Sequence, residues 1–172
     1  MTILAAEVTF RLDAAGQWRA SVPLTDPRTA EVQTSRIWQQ FREGEGLAFA
    51  GLIENVQKTP EDKLELSGPT LLGELALKTV LIGTAWTSTA LNTIIDGLLT
   101  GGWVRSGSVT TTITGSFGGD QRLQAILMAI EQVTGTHVRE LVTESGSVLT
   151  RNLEMGAFGA SSGIILSSGS PD

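Results

Sequence analysis

Side chains able to do acid, base or nucleophilic chemistry are few in this sequence. His137 is the single histidine of 172 residues, and cysteine is absent. Triad catalysis needs an imidazole within hydrogen-bond reach of a hydroxyl or thiol, and the glycine-flanked serine elbow that presents such a nucleophile has no counterpart here. His137 falls at the start of a strand that follows a helix, and is read as a partly buried strand residue. Zinc would need a Cys/His spacing the chain cannot supply, and no run of aspartates resembles a calcium loop. The carboxylate pairs Glu43/Glu45 and Glu61/Asp62 are the acid and base candidates a glycosidase would need, yet both pairs sit in turns, where water solvates them. Gly44, Gly46 and Gly51 lie between two strands, whereas a phosphate cradle needs a helix N-terminus. Gly115, Gly118 and Gly119 precede a helix, but in no dinucleotide or P-loop spacing and with no lysine following. Catalytic, cofactor and metal sites are therefore all read as none, and the chain as a non-enzyme. Four tryptophans, Trp18, Trp38, Trp86 and Trp103, offer either a sugar-stacking platform or packing in a core or subunit interface. Each sits in or beside an apolar run, which favours packing.

The elements around these residues are short. Glu7–Leu12 alternates apolar and polar positions, Asp13-Ala14-Ala15-Gly16 turns the chain, and Trp18–Val22 returns until Pro23, which cannot donate to a ladder. Residues Thr25–Val32, with Pro27 near the start, suit one or two helical turns. Strand-favouring runs at Arg36–Arg42, Leu47–Val56 and Lys63–Ser67 are separated by Glu43-Gly44-Glu45-Gly46 and Thr59-Pro60-Glu61-Asp62, which are turn compositions. Five antiparallel strands in the first seventy residues favour a small barrel or sandwich over a parallel sheet; the three-strand meander is expected to join the first hairpin in one sheet. A helix is expected from Ser67 or Gly68 to Lys78, with Leu71, Leu72, Leu75 and Ala76 inward.

The periodicity then changes. Leu91, Ile94, Ile95, Leu98 and Leu99 recur at helical spacing, as do Leu123, Ile126, Leu127 and Ile130, the second helix capped by Asp120 and ending at Gly135. Thr100–Arg105 and Thr134–Arg139 share Thr, Gly, Val and Arg at corresponding positions, so a helix–Gly–strand unit occurs twice, too few copies for a solenoid. Val109–Thr114, Arg139–Thr143, Val148–Asn152 and Gly163–Leu166 read as strands, and Ser167–Asp172 as a flexible tail. The organisation is thus α+β, with a β-barrel and flanking helix at 1–80, an inserted α/β subdomain at 81–152, and a returning strand and tail at 153–172.

Hydrophobic residues make up 41% and charged residues 17%. That low charge points to contact with other subunits. With 12 basic against 18 acidic residues the net charge is −6, and no Lys/Arg cluster provides the footprint of a specific nucleic-acid binder. A negative wall would instead let a duplex pass without sticking. The opening MTILAAEVTFRLD has no basic n-region and is interrupted by Glu7, so it is not a secretory signal. No segment reaches the ~18 apolar residues that span a bilayer. A soluble protein without stable membrane insertion is expected.

The order of these elements resembles a known family. A hairpin ending in VPLTDP, a strand IWQQF, a turn REGEG, a strand ending FAGLIENV, a strand KLELSG and a helix opening PTLLGEL are similar to the string in bacteriophage tail hub proteins at the distal end of tail tubes. The resemblance covers most of the chain and rests on order and phrasing rather than on an invariant motif. It implies a split β-barrel ring domain with an α/β insertion, a structural virion role connecting the tail tube to the tail tip around the DNA passage, and a part in viral genome ejection. It also implies synthesis in the host cytoplasm, residence in the phage tail tip, and partners among tail tube, distal tail, and tail tip or fibre proteins. Family hubs are trimers whose two barrels per subunit mimic a sixfold ring. This chain has room for one barrel, so the second is expected to be absent, on another chain or after Asp172; a self-trimer is the first expectation from the resemblance and a hexamer the other reading. The alternative role is a host-envelope glycan- or receptor-binding module. Within Arg36–Arg42, alternation puts Ile37 and Phe41 on one face and Trp38 on the other with Arg36, Gln40 and Arg42. Trp38, Arg36 and Arg42 are the expected subunit-interface residues, with the indole directed away from the core.

Overall fold

The computed structural model describes residues 1, 3–146, 148–158 and 165–168. It forms two compact units, one of residues 1–11, 15–71 and 162–172, the other of residues 12–14 and 72–161. The chain is α+β, dominated by antiparallel strands.

In the first unit, alternating apolar residues make β1 (Ala5–Thr9) and β2 (Gln17–Pro23), and Pro27–Glu31 forms one short 3₁₀ turn. That turn starts because the buried Asp26 carboxylate accepts the Arg28 backbone N–H at 3.0 Å, an N-cap that satisfies a donor left open at every helix start. Then follow β3 (Ile37–Arg42), β4 (Gly46–Leu52), β5 (Asn55–Lys58), β6 (Lys63–Pro69) and, late in the chain, β12 (Ile165–Ser168). One sheet has the order β12-β1-β2-β6-β5, every neighbour antiparallel. The β3–β4 hairpin is a separate two-stranded sheet, joined to the strand-end of β6 by a bridge between Gly51 and Thr70. No closed barrel forms among the described residues.

The single strand expected at Leu47–Val56 is therefore two strands in two sheets. The chain corners at Ile53-Glu54, where Ile53 is buried, its N–H bonds to the Arg36 carbonyl and the Glu54 N–H bonds to the Ser67 carbonyl. Gly51 and Glu54-Asn55 are poor strand formers, but propensity alone does not say that the chain changes sheets there. For the same reason the meander does not join β1 and β2 as one sheet. Between the two sheets lies a core of Val8, Trp18, Ala20, Val22, Trp38, Phe49, Ile53, Leu64 and Leu66. Gly51 is where the sheets touch: a Cβ there would lie 2.8 Å from the Pro69 carbonyl oxygen and closer still to the Trp18 indole, so only glycine fits.

The expected helix from Ser67 or Gly68 is also corrected. Residues up to Pro69 stay in β6, because Gly68 pairs with Trp18 and Thr70 Oγ1 accepts the Gly16 N–H at 2.9 Å. Helical turns begin only at Leu71 and are 3₁₀, ending at Leu77.

The second unit contains β7 (Ala85–Ala90), α1 (Leu91–Leu98), β8 (Trp103–Ser106), β9 (Thr112–Ser116), α2 (Arg122–Glu131), β10 (His137–Ser145) and β11 (Val148–Gly156). Both apolar stripes turn inward: Leu91, Ile94, Ile95 and Leu98 of α1 and Ala125, Ile126, Ala129 and Ile130 of α2 are buried. Asp120 does not cap α2; the cap position is Gln121, with no side-chain bond. Gly101, Gly102 and Gly135 take positive φ after the helices, the left-handed exit that glycine tolerates. The two strands that follow, β8 and β10, flank β11, one parallel and one antiparallel to it. The two helix–Gly–strand copies therefore run in opposite senses in one sheet. Of the last predicted strand and tail, Ile165–Ser168 is β12, so Ser167 and Ser168 are strand residues, and 159–164 and 169–172 lie outside the described residues.

Candidate functional site

Strand β3 was expected to carry the interface, and its faces are the reverse of that expectation. Trp38 is only 6% exposed and stacks on Trp18, ring centroids 5.7 Å apart and planes 17° from parallel, with Phe49 tilted against Trp18. Ile37 and Phe41 are the exposed residues, at 36% and 49%. Alternation alone defines two faces without saying which is inner. The choice is made by area, since an indole stacked on a second indole removes more apolar surface from water than an isoleucine does. A register shift between Gln40 and Phe41 breaks the alternation as well. Arg36 and Arg42 are exposed as expected, and Arg42 pairs with Glu45 at 3.3 Å across the turn.

The opposite side of the five-stranded sheet is a polar concave face. In-register rows place Glu7, Arg19, Ser67 and Asn55 side by side, then Ala5, Ser21, Glu65 and Gln57. They line an open groove of about 490 Å³. Glu7 and Arg19 form an ion pair at 2.5 Å. Glu65 has no charged partner among the described residues.

Other candidates for chemistry resolve into structural contacts. His137 Nδ1 lies 2.6 Å from Asp13 Oδ2, while Asp13 Oδ1 accepts the Val138 N–H at 2.7 Å and the Asp13 N–H bonds to the Val138 carbonyl. Both carboxylate oxygens of Asp13 are committed to holding the 12–14 segment on β10, and among the described residues no nucleophile is bonded to the imidazole. Glu74 accepts Trp103 Nε1 at 3.1 Å and Arg151 Nε at 3.0 Å, tying the 3₁₀ segment to β8 and β11. Glu43, Glu45, Glu61 and Asp62 are exposed turn residues. No cluster able to hold a metal ion occurs among the described residues, and among them no helix is long and apolar enough to cross a membrane. A sugar platform is not available: Trp18, Trp38 and Trp103 are buried, and Trp86 is half-buried against Phe117.

Sequence reasoning missed the apolar surface of the second unit. Leu77, Leu81 and Ile82 are 69%, 79% and 93% exposed, and Val104, Leu141 and Val148 are 50%, 43% and 67% exposed. The run Val80-Leu81-Ile82 bounded by Gly83 was the available signal, but a short apolar run without periodicity does not reveal on which side of the surface it lies.

No protein-family model matches the sequence, and no curated protein is significantly similar to it. Solved structures are similar in fold. The c3393 protein of E. coli, described as a component of the type VI secretion system with structural similarity to the T4 bacteriophage tail proteins gp27 and gp5, superposes with a TM-score of 0.60 at 9% identity, covering 88% of this chain and 45% of its own. A tail protein from Neisseria meningitidis MC58 gives 0.59 at 14% identity, with 90% and 47% covered. The 43 kDa tail protein of prophage MuSo2 from Shewanella oneidensis gives 0.54 at 13%, with 90% and 48% covered. The chain has the fold of phage and secretion-system tail proteins, and spans about half the length of each of these three.

Proposed function

We propose that this chain is a structural, non-catalytic component of a phage tail that assembles with copies of itself into a ring at the distal end of the tail tube. The observation carrying this reading is the shared fold with three tail proteins over nearly the whole chain. Supporting it, the side chains suited to catalysis are spent on internal contacts, while apolar residues stand exposed at both units. In such a ring the sheet of the first unit completes a split barrel with its neighbours. Its polar groove face, carrying Glu7 and Glu65, suits a water-filled passage whose negative wall does not retain phosphates. Arg36 and Arg42, with Ile37 and Phe41 between them, are placed to meet a neighbouring tail subunit, and Trp38 leaves that set. The neighbours in the tail are the tube, distal tail and tip proteins.

Light scattering coupled to size exclusion tests the reading. A closed assembly, a trimer or a hexamer, seen as a ring in negative-stain images is the expected result. A chain that stays monomeric at high concentration and is absent from isolated particles overturns it.

A further inference from the structure

The outer edge of β9 carries a row of unpaired main-chain groups. β9 is ladder-bonded to β7 and to no other described strand. Along an antiparallel ladder, residues that turn their N–H and C=O to the neighbouring strand alternate with residues that turn them away. Two bonds fix the phase here: Phe117 N–H donates to the Thr84 carbonyl at 3.2 Å, and Leu91 N–H to the Thr111 carbonyl at 2.9 Å. With Ala85 opposite Ser116 and Ala90 opposite Thr112, residues 111, 113, 115 and 117 face β7. Thr112, Thr114 and Ser116 therefore direct their N–H and C=O groups outward. All three are exposed, while Ile113 between them is buried.

The strand is ordered before anything binds it, so that cost is met in advance. Val109 N–H donates to Asn92 Oδ1 at 2.8 Å, and Thr114 Oγ1 accepts the Ser88 N–H at 2.9 Å. β7 sets two residues, Thr87 and Ser88, against the single Thr114, and Ser88 takes φ +45°. Such a bulge bends the strand that carries it and so protects the outer edge of β7. Charge protects other outer strands, through Arg42 on β3, Lys58 on β5, Arg105 on β8 and Arg139 on β10. β9 has neither device. Residues 79–95 and 106–119, which include both strands of its ribbon, carry no charge.

We propose that β9 pairs antiparallel with β9 of a second copy, about a twofold axis at Thr114. An extended strand is the structure whose donors and acceptors match such a row, and β9 matches itself. In the twofold register Thr114 faces Thr114, and Thr112 faces Ser116 on either side of the axis. The outward N–H and C=O groups of each pair then bond to one another, and the exposed side chains meet as Thr–Thr and Thr–Ser pairs, which favour pairing across strands. No like charges are brought together. Two ribbons of two strands, each marginal alone, become one sheet in the order β7-β9-β9-β7. The contact goes beyond the ring reading and does not rest on it, because an isologous contact joins copies in pairs whereas ring contacts propagate.

Charge exchange at position 114 tests the register, since Thr114 is its own partner. Thr114→Lys and Thr114→Glu each set like charges opposite one another. Sedimentation equilibrium at low salt should show self-association weaker than wild type by at least about tenfold in each. Mixing the two variants one to one should restore it, and high salt should abolish the recovery. Thr112→Pro removes an outward N–H at a position where an edge strand tolerates proline, and should weaken association by a similar factor. Thermal melts check that the variants fold. Association unchanged in both charge variants, or in Thr112→Pro, overturns the pairing and leaves any ring seen for wild type standing. Weaker association in the two charge variants with no recovery on mixing means that a different strand lies opposite, and refutes the twofold register. A wild type still monomeric at about 1 mM overturns this contact and the ring together.

Discussion

Trp18 and Trp38 are stacked neighbours in one core, yet replacing each by phenylalanine should have very different consequences. Trp18 Nε1 donates to two carbonyls, Leu52 at 3.1 Å and Pro69 at 3.0 Å. Trp38 Nε1 is buried with no hydrogen-bond partner among the described residues. Shrinking either indole to a phenyl ring leaves a void costing about 1–2 kcal/mol. Trp18→Phe also strands the two carbonyls that bridge β4 and β6, adding about 1–3 kcal/mol, for a total near 3 kcal/mol. Trp38→Phe removes an unsatisfied donor whose burial itself costs about 1–3 kcal/mol, so the void is largely offset and the net change lies within about 1 kcal/mol of zero. Urea unfolding followed by far-UV circular dichroism, at one protein concentration, measures both differences. Trp38→Ala, which deletes the stack, should cost about 3–5 kcal/mol and shows that the site is core. If Trp38→Phe destabilises as much as Trp18→Phe, or if Trp38→Phe changes the size of the assembly without changing stability, the indole faces a partner rather than Trp18 and the inward assignment of β3 fails.

Gly51→Ala should lower stability by about 1–3 kcal/mol or prevent folding, because the added methyl collides with the Trp18 indole and the Pro69 carbonyl; thermal melting reads it. Glu74→Ala removes the acceptor shared by Trp103 and Arg151 and should cost about 2–4 kcal/mol, against much less for Glu74→Gln, which still accepts one bond. His137→Ala should cost under about 1 kcal/mol, since its partner Asp13 is partly exposed, whereas Asp13→Ala also strands the Val138 N–H and should cost more; loss of a hydrolytic activity in either variant would contradict the non-enzyme reading. Wild type should show no retention on duplex DNA at physiological salt, and Glu7→Lys with Glu65→Lys should introduce some, read by fluorescence anisotropy.

Periodicity made the second unit's helices legible: α1 and α2 bury most of the residues that the spacing selects, Leu99 past the end of α1 and Leu127 on α2 being half-buried, because a lone amphipathic stripe has one way to face a core. Strands were less legible where tertiary contact overrides local preference. β7, with sequence AWTSTA, offers no aliphatic alternation to mark it as a strand, yet it pairs with β9 across a register shift. The break between β4 and β5 is set by where Gly51 and Gly68 let two sheets approach, a constraint written in residues distant in sequence. The 3₁₀ character of Leu71–Leu77 follows from the preceding residues still being engaged in the sheet. Of the residues expected at an interface, the exposure of the two arginines was legible because a guanidinium stays in water, and the burial of the indole was not, because its partner Trp18 lies on another strand.

That one inversion alters what the first unit offers an assembly. With Trp38 outward, the contact would have been a single aromatic anchor of the kind that dominates small, tight interfaces. With Trp38 inward, the outer strand face shows Ile37 and Phe41, each partly exposed, between two arginines. Such a surface is small in apolar area and flanked by charge, unlike the core of a tight pairwise interface. The second unit repeats the pattern, with modest apolar patches on separate faces rather than one large patch. A protein built this way gains little from any single contact and much from several made at once. In the ring proposed above, such a subunit would gain most of its binding energy only when several contacts form together.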